Sequence, residues 1–254
     1  MFPRISWSSL RRFEQCPQRY FLARKGLEAP IPCRVVVVGS AVHNAVQSFV
    51  QGHTFDPEAY ASEDVRRLVD EARVRDEDYS VADAEVDGFA AEASRVAGVV
   101  VSAVSDRLAR DSKFASEVSM NRYYGGWSLE GRIDLLERTP QNQLFLWDIK
   151  TGRSEPDPDQ LRFYDVLARG VNVRPDTVGW LDRHGRFFEV VSGSDERAAL
   201  RHRISRAVES IRADSFSFDG FPNECNRCRC NIVCPRMEVT RKAGHNKWKV
   251  VDLV

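Results

Sequence analysis

The chain has 254 residues, 43% hydrophobic and 29% charged, enough for one substantial core or a core with a subdomain. Lysine plus arginine equals aspartate plus glutamate at 37 each, so the bulk charge demands no polyanionic partner. No run of about 18 apolar residues marks a membrane span, and the segment from Met1 to Ser6 lacks the apolar stretch of a secretory signal; a cytoplasmic protein without a membrane partner is the expectation.

In chain order, residues 6–25 predict a helix, with Ser6 as N-cap and Leu10, Phe13, Tyr20 and Phe21 recurring near helical spacing. A second helix is predicted from Gly39 to about Val50, and two or three more across 57–110. The texture then changes. Segments 116–124, 127–136 and 143–150 are short and rich in aromatic and β-branched residues, with Gly125-Gly126 and Thr139 to Asn142 between them, which predicts three strands joined by hairpins. A helix at about 158–169, strands near 176–182 and 186–192, and a helix over 194–213 precede a cysteine-rich segment. This order predicts a mixed α/β core.

Charge is unevenly spread. Residues 56–92 hold thirteen acids against four arginines, whereas residues 11–25, 201–212 and the C-terminal tail are basic. Basic ends around an acidic middle suit either a nucleic-acid groove or two solvated faces.

The strongest chemical signal joins Gly131-Arg132-Ile133-Asp134 to Trp147-Asp148-Ile149-Lys150-Thr151-Gly152. If these strands pair as a hairpin, Asp134 and Asp148 lie close together, and period-two alternation puts Lys150 on the face of Asp148. Two carboxylates can hold a hard divalent ion that polarises a phosphate, and an ammonium can meet the charge that develops on it. A solvated edge triplet is the bland alternative. It fits poorly after the apolar run Leu144 to Trp147, where an unpaired charge is expensive.

These residues resemble the RecB-type branch of the PD-(D/E)xK nucleases, in which a Gly-x-x-Asp strand precedes an Asp/Glu-x-Lys-Thr-Gly strand. Gly39 to His43 resembles the family's metal-binding histidine segment, and Gln160 and Tyr164, at i and i+4 on one helix, its Gln-x-x-x-Tyr motif. The resemblance implies a restriction-endonuclease-like core, a mixed sheet flanked by helices. It also implies Mg2+ or Mn2+ held by His43, Asp134, Asp148 and the carbonyl of Ile149, with Lys150, Gln160 and Tyr164 completing the catalytic set. Glu117, on the preceding strand, reads as an exposed strand glutamate, with a further ligand or water positioner the alternative.

Cys225, Cys228 and Cys234 fall within ten residues, and Cys16 lies far upstream. Four such thiolates suit zinc or an iron–sulfur cluster, and spacing does not separate them. The context of Cys16 and the C-terminal Cys-x2-Cys-x5-Cys resemble the iron–sulfur staple of AddB-type helicase-nucleases and CRISPR-associated RecB-like exonucleases. That implies a [4Fe-4S] cluster clasping the N- and C-terminal segments. Cys33 reads as a small buried apolar residue and Cys230 as a thiol inside the ligand loop.

The expected layout is a single nuclease domain over 1–254, with a helical insertion at 56–112, a sheet core at 113–192, and an iron–sulfur subdomain from 1–25 and 214–238. Arg19, Tyr20, Arg153 and Arg162 are the expected DNA contacts, by base stacking and phosphate pairing. No Walker-type glycine loop is present, so a motor would be a separate helicase or recombination partner. The implied activity is exonucleolytic cleavage at single-stranded or frayed DNA ends, with flap or single-strand endonuclease action beside it. A non-catalytic DNA-end-binding module and a zinc-stapled nucleic-acid-binding protein are the competing readings.

Overall fold

The computed structural model describes residues 3–28, 33–75, 81–152, 156–216, 225 and 228–235. The chain divides into two compact units, Met1–Arg4 with Ile31–Arg203, and Ile5–Pro30 with Ile204–Val254.

The larger unit holds an α/β core. Its strands are β2 (Lys113–Tyr123), β3 (Ser128–Arg138), β4 (Leu144–Lys150), β5 (Thr177–Asp182) and β6 (Phe187–Val190), after a two-residue β1 (Arg4–Ile5) that the sequence did not suggest. The path runs β1-β3-β4-β5-β6, with β2 also on β3. β4 and β5 are parallel and the β2–β3, β3–β4 and β5–β6 pairs antiparallel, so the sheet is mixed. Helix α6 (Pro158–Gly170) supplies the crossover between the parallel pair.

Helices α3 (Cys33–Val50), α4 (Pro57–Arg75) and α5 (Asp83–Leu108) cover one sheet face. Ala41, Ala45, Ala61, Ala90, Ala93 and Ala97 line their contact with at most 2% exposure, and Leu135, Trp147, Ile149 and Leu181 of the sheet join the same core. Small side chains let these helices approach closely. α5 is long and apolar enough by composition to cross a membrane, but nine of its side chains are buried in the protein. α3 begins at Cys33, six residues before the predicted start at Gly39. The side chain of Cys33 lies outside the described residues.

In the smaller unit the predicted 6–25 helix is two helices, α1 (Trp7–Gln15) and α2 (Pro17–Arg24). Ser6 caps α1, accepting from the Ser9 amide. The break falls at Cys16, which is extended at φ −168° and ψ 112°: the residue before a proline avoids the helical region, and Pro17 suits a first helical turn. The last helix, α7 (Ser194–Arg212), runs from the larger unit into the smaller.

Candidate metal centre

Four segments of the larger unit converge on one corner. The β2–β3 hairpin turns through Gly125 and Gly126, both at positive φ, with the Tyr124 amide donating to the Trp127 carbonyl at 2.8 Å. Counting back from that turn sets Glu117 opposite Asp134. Ser116 pairs with Leu135 and Val118 with Ile133, yet the ladder opens between them, where Glu117 takes φ 53°. A left-handed glutamate inside a strand is strained, and such strain persists where surrounding structure enforces it.

His43, on α3, reaches this opening. Its Nδ1 lies 3.4 Å from Asp134 Oδ1 and 3.6 Å from Glu117 Oε1, and its Nε2 is 3.3 Å from the Ile149 carbonyl. Among the described residues, His43, Glu117 and Asp134 bring ligand atoms within 4.8 Å of one another, a spacing that fits a metal ion. Glu117 is therefore no exposed strand glutamate; its side chain is 13% accessible. The two-glycine turn carried the signal that would have found it. Asp134 turns its other oxygen to the Ile149 amide at 2.7 Å, which fixes its orientation.

β4 contributes Asp148 and Lys150 on the face opposite Trp147 and Ile149, toward α6. Asp148 is 4% exposed. Its Oδ1 accepts from Gln160 Nε2 at 3.0 Å, and Lys150 Nζ stands 2.5 Å from its Oδ2 while donating to Gln160 Oε1 at 2.8 Å. Arg132 Nε likewise stands 2.6 Å from Glu117 Oε2. Asp148 Oδ2 and Glu117 Oε2 are thus buried carboxylate oxygens, each set against one cationic side chain. Gln160 also donates to Tyr164 Oη at 3.2 Å. Tyr164 packs against Gly131, where a Cβ would come within 3.1 Å of its ring and 3.0 Å of Leu167, so a larger residue would press on both side chains.

The electrostatics follow from crowding. Burial pushes Asp148 up to about 6, reinforced by Asp134 and opposed by Lys150 and His43. Burial alone disfavours the charged imidazole of His43, but Asp134, Glu117 and Asp148 outweigh it and lift His43 to about 10. Burial and Asp148 keep the Tyr164 phenol protonated. Three carboxylates, Glu117, Asp134 and Asp148, meet here against His43, Lys150 and Arg132. A divalent cation with oxygen and imidazole ligands fits these residues, and its binding would displace the proton from His43.

The expected DNA contacts fare differently. Tyr20 is only 2% exposed and packs edge-on against Phe13 at 5.8 Å, so its ring has no face for a base. Arg19 is committed to Glu28 at 2.7 Å and to Gln15 at 2.8 Å. Arg162 donates to the Val191 carbonyl and to Asp159. Arg153 lies outside the described residues.

The five described cysteines lie in the smaller unit and form no disulfide with one another, with Cys16, Cys225, Cys228 and Cys234 half-buried. They do not gather three sulfurs at the spacing of the His43 group. Cys230 is 1% exposed, its sulfur 4.0 Å from the Arg19 carbonyl, and burial beside Cys228 and Glu28 pushes its thiol up to about 11. Glu28 collects Arg19 at 2.7 Å, Arg12 at 3.0 Å and Arg229 at 3.8 Å, which ties α1 and α2 to the cysteine segment.

A mixed sheet flanked by helices, with a histidine and clustered carboxylates at the opening of two strands, is consistent with a restriction-endonuclease-like core. The sequence pattern of the PD-(D/E)XK nuclease superfamily matches residues 4–235, and the chain belongs to that superfamily. No curated protein matches the chain. Among solved structures, the crystal structure of SSO0001 is similar to it at 14% identity, covering 80% of this chain and 97% of that one with a TM-score of 0.35.

Proposed function

We propose that the protein is a divalent-metal-dependent DNA exonuclease of the RecB/AddB-type branch, acting at single-stranded or frayed ends in DNA repair, recombination or processing. One observation carries the catalytic reading: His43, Glu117 and Asp134 bring ligand atoms within 4.8 Å of one another, beside the buried carboxylate of Asp148. His43, Glu117, Asp134, Asp148 and the Ile149 carbonyl would hold Mg2+ or Mn2+, which supplies charge against the phosphate and lowers the pKa of a water. Lys150 faces the phosphate that sits there and meets the negative charge that grows on it. Gln160 bridges Lys150 and Asp148 and so fixes both, and Tyr164 closes the corner behind Gln160.

The four cysteines, Cys16, Cys225, Cys228 and Cys234, are proposed as ligands of a [4Fe-4S] cluster. Support comes from their sequence context and their shared compact unit, not from sulfurs already gathered. Anaerobically purified protein that is brown and carries iron and sulfide supports this, and colourless protein with stoichiometric zinc overturns it.

The test of the catalytic proposal uses purified protein with end-labelled linear and circular DNA, single- and double-stranded, in Mg2+ or Mn2+. The expected result is degradation of ends that stops with chelator and in Lys150→Ala. Tight binding without cleavage in either metal would instead favour a DNA-end-binding module.

A further inference from the structure

One cluster on the catalytic face of the sheet has no part in the metal centre. Trp180 on β5 is the register neighbour of Asp148, and Phe188 on β6 is the neighbour of Trp180. Neighbouring strands lie about 4.8 Å apart, so the three residues form a row from the catalytic carboxylate toward the edge strand, with Phe188 roughly 10 Å along it. The two rings stack at 5.5 Å between centroids and 23° between planes. The Arg186 guanidinium lies 5.3 Å from the Phe188 centroid, held there by two hydrogen bonds to Asp182 Oδ2.

Phe187, one residue away, packs against the core of α3, α4 and α5, whereas Trp180 and Phe188 lie on the other face of the sheet, the side of α6, with Trp180 half-buried. Phe188 stays 36% exposed and the Arg186 side chain 65% exposed. An aromatic pair with a guanidinium, exposed at Phe188 and half-buried at Trp180, beside the candidate metal centre has the composition of a stacking station for nucleobases.

We infer that Trp180, Phe188 and Arg186 form a platform on which an unpaired base flanking the reacting phosphate stacks. A base inside a duplex has both faces covered by its neighbours and cannot use this platform, so the row selects single-stranded over fully paired DNA at the site. Stacking tolerates any base, because each presents a π-face, so selection is for strandedness and not for sequence. Arg186 adds a positive charge near the adjoining phosphate. The inference rests on the nuclease reading and names its substrate class.

The test measures oligothymidylate binding to the whole protein with Ca2+ in place of Mg2+, alongside cleavage of single-stranded and duplex DNA in Mg2+. Phe188→Ala and Phe188→Leu are expected to weaken oligothymidylate binding about fivefold to a hundredfold, and to raise KM for single strands more than for duplex. Phe188→Tyr restores binding. Leucine keeps the apolar volume without a π-face, so a purely structural role would be rescued by leucine and a stacking role would not. Oligothymidylate quenches tryptophan emission in the parent, and Trp180→Phe removes that quenching. Parental affinity in Phe188→Leu, or undiminished quenching in Trp180→Phe, overturns the inference while a cutting parent leaves the nuclease reading intact. A parent that neither cuts nor binds DNA contradicts both.

Discussion

Asp148 and Glu137 lie on neighbouring strands of one hairpin, both almost fully buried, at 4% and 1% exposure. Their surroundings differ completely. Glu137 accepts from Arg107 at 2.8 Å, from Ser112 at 2.8 Å and from Trp147 Nε1 at 2.7 Å, and Arg107 in turn lies 3.9 Å from the Phe187 ring centroid. Asp148 has one oxygen bonded to Gln160 and the other paired with Lys150 at 2.5 Å, with Asp134, an acid rather than a donor, as its strongest other charged neighbour. A satisfied buried carboxylate locks α5 to β3 and β4. The other, at equal burial and in the same sheet, lies beside Asp134 and His43, where further ligand atoms converge. Burial alone therefore says little about role; the balance of donors around the oxygens decides it.

The largest expected effect separates the two carboxylates outright. Asp148→Asn should lower metal-dependent cleavage by about a thousandfold, in the range for removing one preorganised transition-state interaction, with the circular dichroism spectrum unchanged. Equal cleavage by parent and variant would remove Asp148 from the chemistry. Glu137→Ala reverses the pattern. Breaking its network strands Arg107 and the Trp147 indole, so urea denaturation should show a loss of about 3–5 kcal/mol, with specific activity per folded molecule retained.

Metal sharpens the contrast. At a hundredfold excess over Kd, Mn2+ should stabilise the parent by about 2.7 kcal/mol, and Glu117→Gln should lose most of that gain. A thermal shift of the same size in Glu117→Gln would leave this glutamate a strand residue after all.

The smallest effect is in pH. Asp148 is raised to about 6 in the folded protein from 3.8, so the folded state binds this proton more tightly than the unfolded chain. Its stabilising contribution is complete below about pH 4 and is lost as the pH rises through 6, worth roughly 1–3 kcal/mol in metal-free protein. Asp148→Asn should flatten that part of the stability–pH curve, and Glu137→Gln should leave it in place.

Much of the core was legible because local chemistry and tertiary structure agree there. Gly125-Gly126 can form a two-residue hairpin turn, the flanking β-branched and aromatic residues suit strands, and Asp157 and Pro158 begin α6 as cap and first turn. Gln160 and Tyr164 meet because an i, i+4 pair on a helix must. His43 and Ile149 stand 106 residues apart in the chain, and no local pattern reports their 3.3 Å contact; only resemblance put His43 in the site. Tyr20 and Arg19 misled for a physical reason. An aromatic residue beside an arginine looks the same in sequence whether it faces solvent or core. The acid that neutralises Arg19, Glu28, lies nine residues on, past the end of α2. The break at Cys16 was readable, since a residue before proline resists the helical conformation.

Calorimetric titration of metal-free protein with Mn2+ separates the two buried carboxylates, because it reads whether each takes part in holding the ion. The account predicts binding to the parent and to Glu137→Gln, and loss of that binding in Asp134→Asn and Asp148→Asn. Parental affinity in both aspartate variants would contradict it.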